Sequence, residues 1–524
     1  MIAEEIRVTD ATFRAGSCRA GDGWGWAAAV ADARRQDRPA AAVATKRIIG
    51  PKAYQAGYTQ GHASGAETPV SNNTTPTVTR RQFTSTAALA ALSAAIVPSQ
   101  VLGQDAPSNK LNLACIGIGG MGGSNLKACA TENIVALCDV DEEYAAKTRA
   151  LYPAARYYLD YRELLEKEKD LDGVIIATPD HTHAVVTMAV LNAGKHVYCQ
   201  KPLTHTVREA RLVTEAARKA GVVTQMGNQG QSFQTMRLLK EWLDDGAVGH
   251  VTEVHAWTDR PVGGDPWSDF EVRARPTDTP PVPKTLDWDR WLGPAAFRPY
   301  HPAYHPMKWR AWQDFGTGAL GDMGCHIIDP AFWALELGPP STVEATSTHH
   351  DPAVAAETYP RACVVRYTFP ARGNRPPVKL TWTDGRLLPP RPPDMEPDRK
   401  LPGSGALLIG EKGTILHGSH GADGVRLVPE TRMQAYTRPP QTLRRVTGSH
   451  EGDWIRAIKE GTGAVPPSSP FEYGGALTEM VLLGVLAIRL KDTRLEWDSA
   501  NLRFTNNEKA NELLHIPYRE GWTL

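Results

Sequence analysis

Three glycines in the stretch "GIGGMGG" have a spacing that suits binding of a phosphate-bearing nucleotide. Gly117, Gly119 and Gly122 follow the apolar run "LNLACI" in a G-x-G-x-x-G pattern. The first glycine permits a tight turn, the second lets the backbone approach a pyrophosphate, and the third allows close helix packing. The helix that follows would offer the amides of its first turn, at Gly120 and Met121, to the anion.

An acidic residue lies where a dinucleotide would place a ribose. Asp139 ends the next apolar run, "IVALCDVD", about twenty residues beyond the loop, a distance typical of a carboxylate on the adenosine 2′-hydroxyl. A carboxylate there repels a 2′-phosphate, so the pattern favours NAD over NADP, although Asp141 or a nearby lysine leaves NADP open. The structural alternative is a glycine-rich turn followed by a solvated aspartate.

The elements that must position these residues alternate in type along the chain. Strand-like runs "LDGVIIATP", "KHVYCQKP" and "VVTQMGNQ" alternate with the helical runs "HTHAVVTMAVLNAG" and "TVREARLVTEAARKAG". Alternation of this kind predicts a doubly wound parallel sheet, in which ligands bind beyond the carboxyl ends of the strands. Thr178, Pro179, Gln200 and Lys201 all lie at such ends.

The ordered motifs resemble the Gfo/Idh/MocA family of sugar and cyclitol dehydrogenases. The resemblance rests on "GIGGMGG", "CDVD", "ATPDHTHA", "GKHVYCQKP" and "GALGDMGCHIID", and it runs from about Lys110 to near the C-terminus. It implies that Lys201 is the catalytic lysine and that His183 lines the nicotinamide site. The Glu-Lys-Pro signature of the family is Gln200-Lys201-Pro202 here, so a carboxylate is replaced by an amide.

The same resemblance implies that Asp322 and His326 converge with Lys201 on the substrate carbinol. They are four residues apart in "GDMGCHIID", which places them on one face of a helix. Oxidation of a secondary alcohol requires a base for the hydroxyl proton, and we expect Lys201 and His326 to handle it, with Asp322 fixing the orientation of His326. The structural alternatives are a buried histidine and a helix cap.

The remaining histidines are weaker candidates. His181 is close to the nicotinamide loop but matches the family pattern less well than His183. For His301 and His305, in "YHPAYHPMKWRAW", contact with substrate is one reading, and a proline-rich surface loop is the more common one for such a run. Metal binding by "HTH" or by His349 and its neighbour is not expected without convergent carboxylates.

From about Gln231 the pattern changes to an α+β domain with a mainly antiparallel, open sheet. Its strand-like runs are "HVTEVHAWTDR", "STVEATSTHH", "ACVVRYTFP", "PVKLTWTDGR", "GALLIGEKGTILHG" and "GVRLVPE". The resemblance implies that this domain binds substrate and pairs subunits, as a homodimer or homotetramer. Residues 451–524 are predicted to form C-terminal helices and a tail on the core. Tryptophans before the "GDMGC" helix suit sugar stacking but are more often core residues.

Composition excludes several classes of protein. Lys plus Arg and Asp plus Glu both total 58, so the net charge is zero and nothing favours nucleic acid or an anionic membrane. The cysteines lack paired spacing, so we expect neither a disulfide framework nor a zinc site, and no metal is predicted. A neutral small molecule is the expected partner.

The chain before residue 110 has a different composition. Residues 1–79 are predicted to be a low-complexity, unfolded segment. The alternative is that the translation start has been assigned too far upstream. Residues 80–105, "RRQFTSTAALAALSAAIVPSQVLGQD" in the sequence, have the layout of a twin-arginine signal peptide, and their apolar run is short for a membrane span. The alternative is an Ala-rich helix after two arginines. The predicted location of the protein is therefore periplasmic. The predicted bounds of the folded domains are 110–230 for the dinucleotide-binding domain and 231–450 for the α+β domain.

Three functions remain open at this point. The first is an NAD(P)-dependent oxidoreductase acting on a sugar, sugar derivative or cyclitol. The second is an NAD-dependent glycosidase or lyase that oxidises the sugar transiently and eliminates its aglycone. The third is a sugar sensor without catalysis. Because an exported enzyme has no ready pool of free nucleotide, we also expect NAD(H) to be bound tightly.

Overall fold

A six-stranded parallel sheet forms the first half of the computed structural model, which describes residues 109–262, 270, 272–461 and 463–524. The low-complexity segment and the twin-arginine segment lie outside the described residues. The strand order is β3-β2-β1-β4-β5-β6, so the predicted doubly wound sheet is confirmed. The strands are β1 (Asn112–Ile116), β2 (Asn133–Cys138), β3 (Arg156–Tyr158), β4 (Gly173–Ile176), β5 (His196–Cys199) and β6 (Thr224–Met226).

The order of the strands reverses at β1 and β4, which pair directly although β2 and β3 lie between them in the sequence. A crevice opens at such a reversal beyond the carboxyl ends of the strands. Helices connect the strands and cover the sheet: α1 (Met121–Ala128), α2 (Glu142–Arg149), α3 (Tyr161–Lys167), α4 (Asp180–Asn192) and α5 (Val207–Ala220).

Local sequence explains the bounds of these helices. Thr206 and Glu209 form a capping box at the start of α5, and Gly221 ends that helix at a φ of 64°. Asp141 accepts hydrogen bonds from the amides of Glu143 and Tyr144 and so begins α2.

The second sheet is mainly antiparallel, as predicted, in the order β13-β12-β11-β7-β10-β9-β8-β14-β15. Only β7 and β10 pair in parallel among its described strands. The last two strands were not predicted. The strands are β7 (Val251–Trp257), β8 (Thr342–Ser347), β9 (Cys363–Phe369), β10 (Val378–Thr383), β11 (Gly405–Gly410), β12 (Gly413–His417), β13 (Arg426–Val428), β14 (Leu495–Asp498) and β15 (Arg503–Phe504).

Helices of the second half pack on that sheet or join it to the first. Two short 3-10 helices, Gln229–Ser232 and Lys308–Ala311, lie among them. The α-helices are α6 (Gln234–Asp244), α7 (Trp288–Leu292), α8 (Gly318–Ile327), α9 (Asp329–Ala334), α10 (Pro352–Ala355), α11 (Glu430–Ala435), α12 (His450–Glu460), α13 (Phe471–Arg489) and α14 (Glu508–Glu512).

Helix α13 is the core helix that joins the two halves. It packs against α5 on one side and against β8, β9 and α8 on the other. A Cβ at Gly484 would lie 1.8 Å from the Tyr367 hydroxyl, so glycine permits the close approach of helix and sheet. Among the described helices, α13 alone is long and apolar enough to cross a membrane, but 83% of its apolar window is buried inside the fold.

One face of the parallel sheet is covered by a helix that comes much later in the sequence. Trp454, on α12, is fully buried in one cluster with Leu113 of β1 and Tyr198 of β5. A Cβ at Gly173 would lie 2.8 Å from the Trp454 ring, so the indole lies directly over β4. The core on this face of the first sheet is therefore formed by residues that are far apart in the sequence.

Candidate active site

The glycine loop has the backbone geometry that its spacing predicts. Gly117 has a φ of +82°, and a Cβ there would lie 2.8 Å from the Ala177 carbonyl group. A Cβ at Gly122 would lie 1.9 Å from the oxygen of Gly117, so this glycine permits close packing of α1. Gly120 is the N-cap of α1 and no side chain caps the helix. The first amides of α1 are therefore suited to an anion.

Asp139 holds the glycine loop in place. One of its carboxylate oxygens accepts hydrogen bonds from the amides of Ile118 at 2.8 Å and Gly119 at 3.1 Å. The other accepts from the amide of Asp141 at 3.1 Å. Burial raises the pKa of Asp139 against the effect of these hydrogen bonds. Asp139 also lines the cleft described next, and its predicted contact with a ribose stays a prediction.

A cleft runs along the carboxyl ends of the parallel strands. It brings together all the predicted cofactor residues except Gly122, which lies behind the loop. Of the predicted catalytic residues, Lys201 and Asp322 line the cleft and His326 does not. The predicted residues on its wall are Gly117, Gly119, Gly120, Met121, Asp139, Thr178, Pro179, His183, Gln200, Lys201 and Asp322.

Lys201 and Asp322 form an ion pair where the two halves meet. The ammonium group of Lys201 donates to the Asp322 carboxylate at 2.8 Å and to the Asp322 main-chain oxygen at 2.6 Å. Arg260 donates to the other carboxylate oxygen, and Arg310 lies 3.5 Å from the first. Burial raises the pKa of Asp322, but the charges of these three cations outweigh it and hold that pKa well below its usual range.

Helix α8 brings Asp322 to this position. All ten residues of the helix are buried, and Gly318 begins it at a φ of +65° against the ring of Tyr359. Thr317, its N-cap, donates to the carboxylate of Asp180 on α4 at 2.7 Å. That bond ties the helix of the second half to the start of a helix in the first.

His326 lies on α8 one turn beyond Asp322, beside a histidine that the sequence did not indicate. Its ring lies 4.3 Å from the ring of His420, centroid to centroid, at an interplanar angle of 35°. Burial, and then the charge of Lys201 and the presence of His420, lower the pKa of His326 well below its usual value. His326 is therefore neutral at pH 7, and its Nδ1 has no hydrogen-bond partner among the described residues.

Asp322 makes no hydrogen bond to His326 among the described contacts, so the expected fixing of the His326 ring by Asp322 stays a prediction. The carboxylate oxygens of Asp322 point to Lys201 and Arg260, because three partly buried cations compete for them against a neutral imidazole. The loop between β12 and β13 supplies the neighbour of His326 instead. In that loop, His420 Nδ1 lies 2.8 Å from the Ser419 hydroxyl.

His183 connects the ends of two strands. Its Nδ1 lies 2.8 Å from the Pro202 carbonyl oxygen, and its Nε2 lies 2.8 Å from the Thr178 carbonyl oxygen. Both partners only accept, so both ring nitrogens must donate, which requires the imidazolium form. Burial opposes this charge, but Cys199, Asp180 and the Pro202 carbonyl raise the pKa of His183 to about 9. The cation fixes the segment that carries Lys201.

A chain of hydrogen bonds fixes the side chain of Gln200 in one orientation. Its Nε2 donates to Asn125 Oδ1 at 3.0 Å, and Asn125 donates in turn to the carboxylate of Glu451 at 2.7 Å. A Cβ at Gly227 would lie 2.7 Å from the Gln200 amide carbon, so the backbone presses against this side chain. The amide is thus a fixed part of the cleft wall next to Lys201.

His305 and His181 are both buried, and they have different kinds of hydrogen-bond partner. His305 does not lie in a surface loop: it is buried, and its Nε2 lies 2.7 Å from the carboxylate of Asp141. The apolar cluster around Trp291 draws the loop inward, and this could not be foreseen from its prolines. His181 is structural, with its ring nitrogens near main-chain oxygens and burial lowering its pKa to about 3.

The tryptophans before α8 divide between core and cleft. Trp288 and Trp291 stack at 4.6 Å, and Trp291 also reaches the cleft with Trp309. Trp257 and Trp312 are fully buried, and Trp267 lies outside the described residues.

Sequence reasoning missed four cleft or pair residues. Arg260 follows β7, and Arg310 follows a tryptophan, but neither position has a distinctive local pattern. His420 stands between glycines in "GSHGAD", a signal of a turn and no more. Trp522, which also lines the cleft, is the third residue from the end of the sequence. Only the folded chain brings these residues together.

Comparison with known proteins places similarity along both halves. Residues 111–228 match a family model described as an oxidoreductase family with an NAD-binding Rossmann fold, and residues 234–368 match its C-terminal alpha/beta domain. Levoglucosan dehydrogenase of Pseudarthrobacter phenanthrenivorans is 24% identical over 37% of this chain and 40% of its own length. Inositol 2-dehydrogenase of Salmonella typhimurium is 34% identical over 28% and 45%. The chain thus spans less than half of these relatives.

Solved structures show the same fold at low identity. A WlbA dehydrogenase from Chromobacterium violaceum, in complex with NADH and UDP-GlcNAcA, has a TM-score of 0.51 and 18% identity. The structural match covers 74% of this chain and 96% of the WlbA chain. An inositol dehydrogenase homologue from Azotobacter vinelandii, complexed with NADH and myo-inositol, has a TM-score of 0.50 and 16% identity over 74% and 98%.

Proposed function

The chain belongs to the Gfo/Idh/MocA oxidoreductase family over residues 111–368, and from this premise we propose that it is an NAD-dependent dehydrogenase of a sugar, sugar derivative or cyclitol. One observation carries the proposal. The Lys201–Asp322 ion pair lies on the wall of the cleft that the glycine loop also lines, so a proton-handling group meets the nucleotide site.

The residues of the cleft fit NAD, the cofactor of this family. The backbone at Gly117 and Gly119 leaves no room for side chains, and the uncapped start of α1 is suited to a pyrophosphate. Asp139 presents a carboxylate at the end of β2, which disfavours a 2′-phosphate. When bound, NAD supplies a hydride acceptor at its nicotinamide ring.

The chain's own residues would manage the proton of the substrate hydroxyl. Asp322 fixes the Lys201 side chain at 2.8 Å, so Lys201 is placed to donate a hydrogen bond to the oxygen that is oxidised. His326 is neutral at pH 7 and lies one turn of α8 beyond Asp322, so we keep it as the proposed acceptor of the proton, although its ring lies behind the cleft wall. Here Lys201 acts as electrophile and His326 as base, with Asp322 as the anchor of Lys201.

The substrate side of the pair is polar and aromatic. His420 from the loop between β12 and β13 lies beside His326, and Arg260 and Arg310 lie beside Asp322. The indole of Trp309 lies 4.2 Å under the Arg310 guanidinium. Hydroxyl groups of a sugar or cyclitol match such donors and acceptors. Two relatives, named inositol 2-dehydrogenase and levoglucosan dehydrogenase, support this substrate class.

The test is the nicotinamide absorbance of the purified protein mixed with a panel of free sugars and cyclitols. We expect NADH formation with at least one of them, and Lys201→Met to lower kcat by about 100-fold or more. Lys195→Met is the matched control, because the Lys195 ammonium group donates to the Lys169 carbonyl alone among the described hydrogen bonds and Lys195 lies outside the cleft. Wild-type turnover by Lys201→Met, in a folded protein, would overturn the assignment.

The same assay separates the other reactions that the sequence leaves open. Release of an aryl aglycone without net NADH would identify transient oxidation followed by elimination. Binding of a sugar by NAD-loaded protein with no turnover of any substrate would identify a sensor. Both outcomes would contradict a simple dehydrogenase.

We also propose that the protein is exported by the twin-arginine route with NAD(H) already bound. The pattern at Arg80 and Arg81 supports it, since that route carries folded proteins. Replacement of both arginines by lysine should retain the protein in the cytoplasm, as measured by cell fractionation. A wild-type protein found in the cytoplasm, or one that loses its nucleotide on dialysis, would contradict the proposal.

We further propose a homodimer or homotetramer that pairs through the open face of the second sheet. The alternation of buried and exposed side chains along β9 and β10 leaves one face of this sheet outside the core and supports the proposal. Light scattering of the purified protein should give twice or four times the mass of the chain. A monomeric mass would contradict it.

A further inference from the structure

The C-terminal tail, defined here as residues 515–524, reaches the nucleotide cleft. Trp522 lines the cleft together with Leu159 and Arg162. Its indole is half-buried, so one part of the ring packs on the protein while another part faces the cleft. Nothing in the glycine loop or the Lys201 segment requires a residue from the far end of the sequence at this place.

Arg519 holds the tail in position. Its guanidinium donates to the carbonyl oxygens of Gly293 and Asp289, both at 2.6 Å, and to the Asp289 carboxylate at 2.5 Å. Its main-chain amide donates to the oxygen of Pro294 at 3.1 Å. The Tyr518 hydroxyl adds a bond to the carboxylate of Glu209. Four hydrogen bonds at one residue make this tail an ordered wall.

Trp522 lies at the half of the cleft that receives adenosine. In a sheet of this order the strands β1 to β3 and the strands β4 to β6 form two mononucleotide-binding halves. Arg162 follows β3, and its guanidinium carbon lies 4.9 Å from the centre of the Trp522 ring. Lys201 follows β5, in the other half. The contact with Arg162 therefore assigns Trp522 to the adenosine half.

We propose that Trp522 binds the adenine of NAD through its indole face, with Arg519 as the residue that positions it. Stacking of a base on an aromatic side chain contributes about 1–3 kcal/mol, which is a change of about 5- to 150-fold in affinity. The Arg162 guanidinium, itself paired with Asp160 at 3.0 Å, lies over the same indole and holds the ring at the cleft wall. The inference rests on NAD binding and not on the identity of the substrate.

The test uses the full-length protein loaded with NADH. Excess ADP-ribose, which carries the adenosine half without nicotinamide, displaces NADH, and the loss of bound NADH fluorescence gives the release rate. For Trp522→Ala we expect release to accelerate about 5- to 150-fold and ADP-ribose affinity to fall by a similar factor. Trp522→Phe keeps an aromatic face and should stay near the wild type. Thr523→Ala, an exposed neighbour in the tail, is the matched control and should change neither.

Two outcomes would overturn the proposal. One is wild-type NADH release and ADP-ribose affinity in Trp522→Ala. The other is faster NADH release with unchanged ADP-ribose affinity, since Trp522 would then act on the nicotinamide half. If Trp522→Ala does not fold, as judged by its melting curve, Trp522→Leu keeps apolar volume without an aromatic face and carries the same expectation. Because these measurements need no substrate, a failure of the dehydrogenase proposal leaves them unaffected.

Discussion

Replacement of Asp322 by asparagine should destabilise the protein strongly at neutral pH. Asp322 is buried, and its carboxylate is the shared anion of Lys201, Arg260 and Arg310. Loss of one partner of a buried ion pair leaves the other charges uncompensated and costs about 3–5 kcal/mol. Asparagine has nearly the same shape, and its main-chain oxygen still accepts from Lys201, so we expect a value of about 3 kcal/mol, at the low end of that range.

The pH dependence of this loss follows from the sign of the pKa shift. The folded-state pKa of Asp322 is depressed, so its contribution is complete above the unfolded pKa of about 3.9. As pH falls below that value, the contribution decreases by about 1.4 kcal/mol for each pH unit until the folded carboxyl protonates. The difference in free energy of unfolding between wild type and Asp322→Asn should therefore be constant from about pH 5 to about pH 7. Below about pH 4 this difference should shrink.

The assay is urea unfolding, followed by tryptophan fluorescence and circular dichroism, at several pH values. Asp170→Asn is the control, because Asp170 is exposed and only its main-chain oxygen has a hydrogen bond among the described contacts. Its unfolding midpoint should match the wild type at every pH. Equal stability of Asp322→Asn and wild type at pH 7, or a difference that grows on acidification, would refute the electrostatic reasoning.

Three further changes test the cleft and the histidine pair. Gly117→Ala should abolish detectable NADH binding in a titration, because its Cβ would lie 2.8 Å from the Ala177 backbone; Gly194→Ala, at a similar positive φ with open space around it, should bind NADH normally. His326→Ala should lower kcat by about 100- to 10,000-fold and remove the acid limb of the pH–rate profile, since the depressed pKa of His326 keeps it neutral until acidic pH. His420→Phe keeps a ring against His326 but loses the polar edge, so steady-state kinetics should show KM rising more than kcat falls. An unchanged KM in that variant would exclude contact of His420 with substrate.

Local patterns in the sequence predicted the glycine loop and most of the helices and strands. The turn at Gly117 and the capping box of Thr206 and Glu209 depend on residues within a few positions of one another, so their types are sufficient. The alternation of runs then predicted the parallel sheet, since strands joined by helices have few other arrangements.

The partners of Asp322 could not be read in this way. Lys201 is 121 positions from it and Arg260 is 62 positions from it, and only tertiary packing decides which cation reaches a buried carboxylate. The resemblance to a family placed Lys201 and Asp322 in one site but implied nothing about Arg260. The inward turn at His305 likewise depends on an aromatic cluster assembled from distant segments.

The burial of Trp454 has a consequence for synthesis on the ribosome. Residues 450–460 emerge more than two hundred positions after β6, yet they cover β1, β4 and β5. Until translation has passed them, the nascent first half exposes an apolar face over its central strands and lacks part of its core. The nucleotide-binding half is therefore not an independent cotranslational unit, and a fragment that stops at residue 230 should aggregate rather than bind nucleotide.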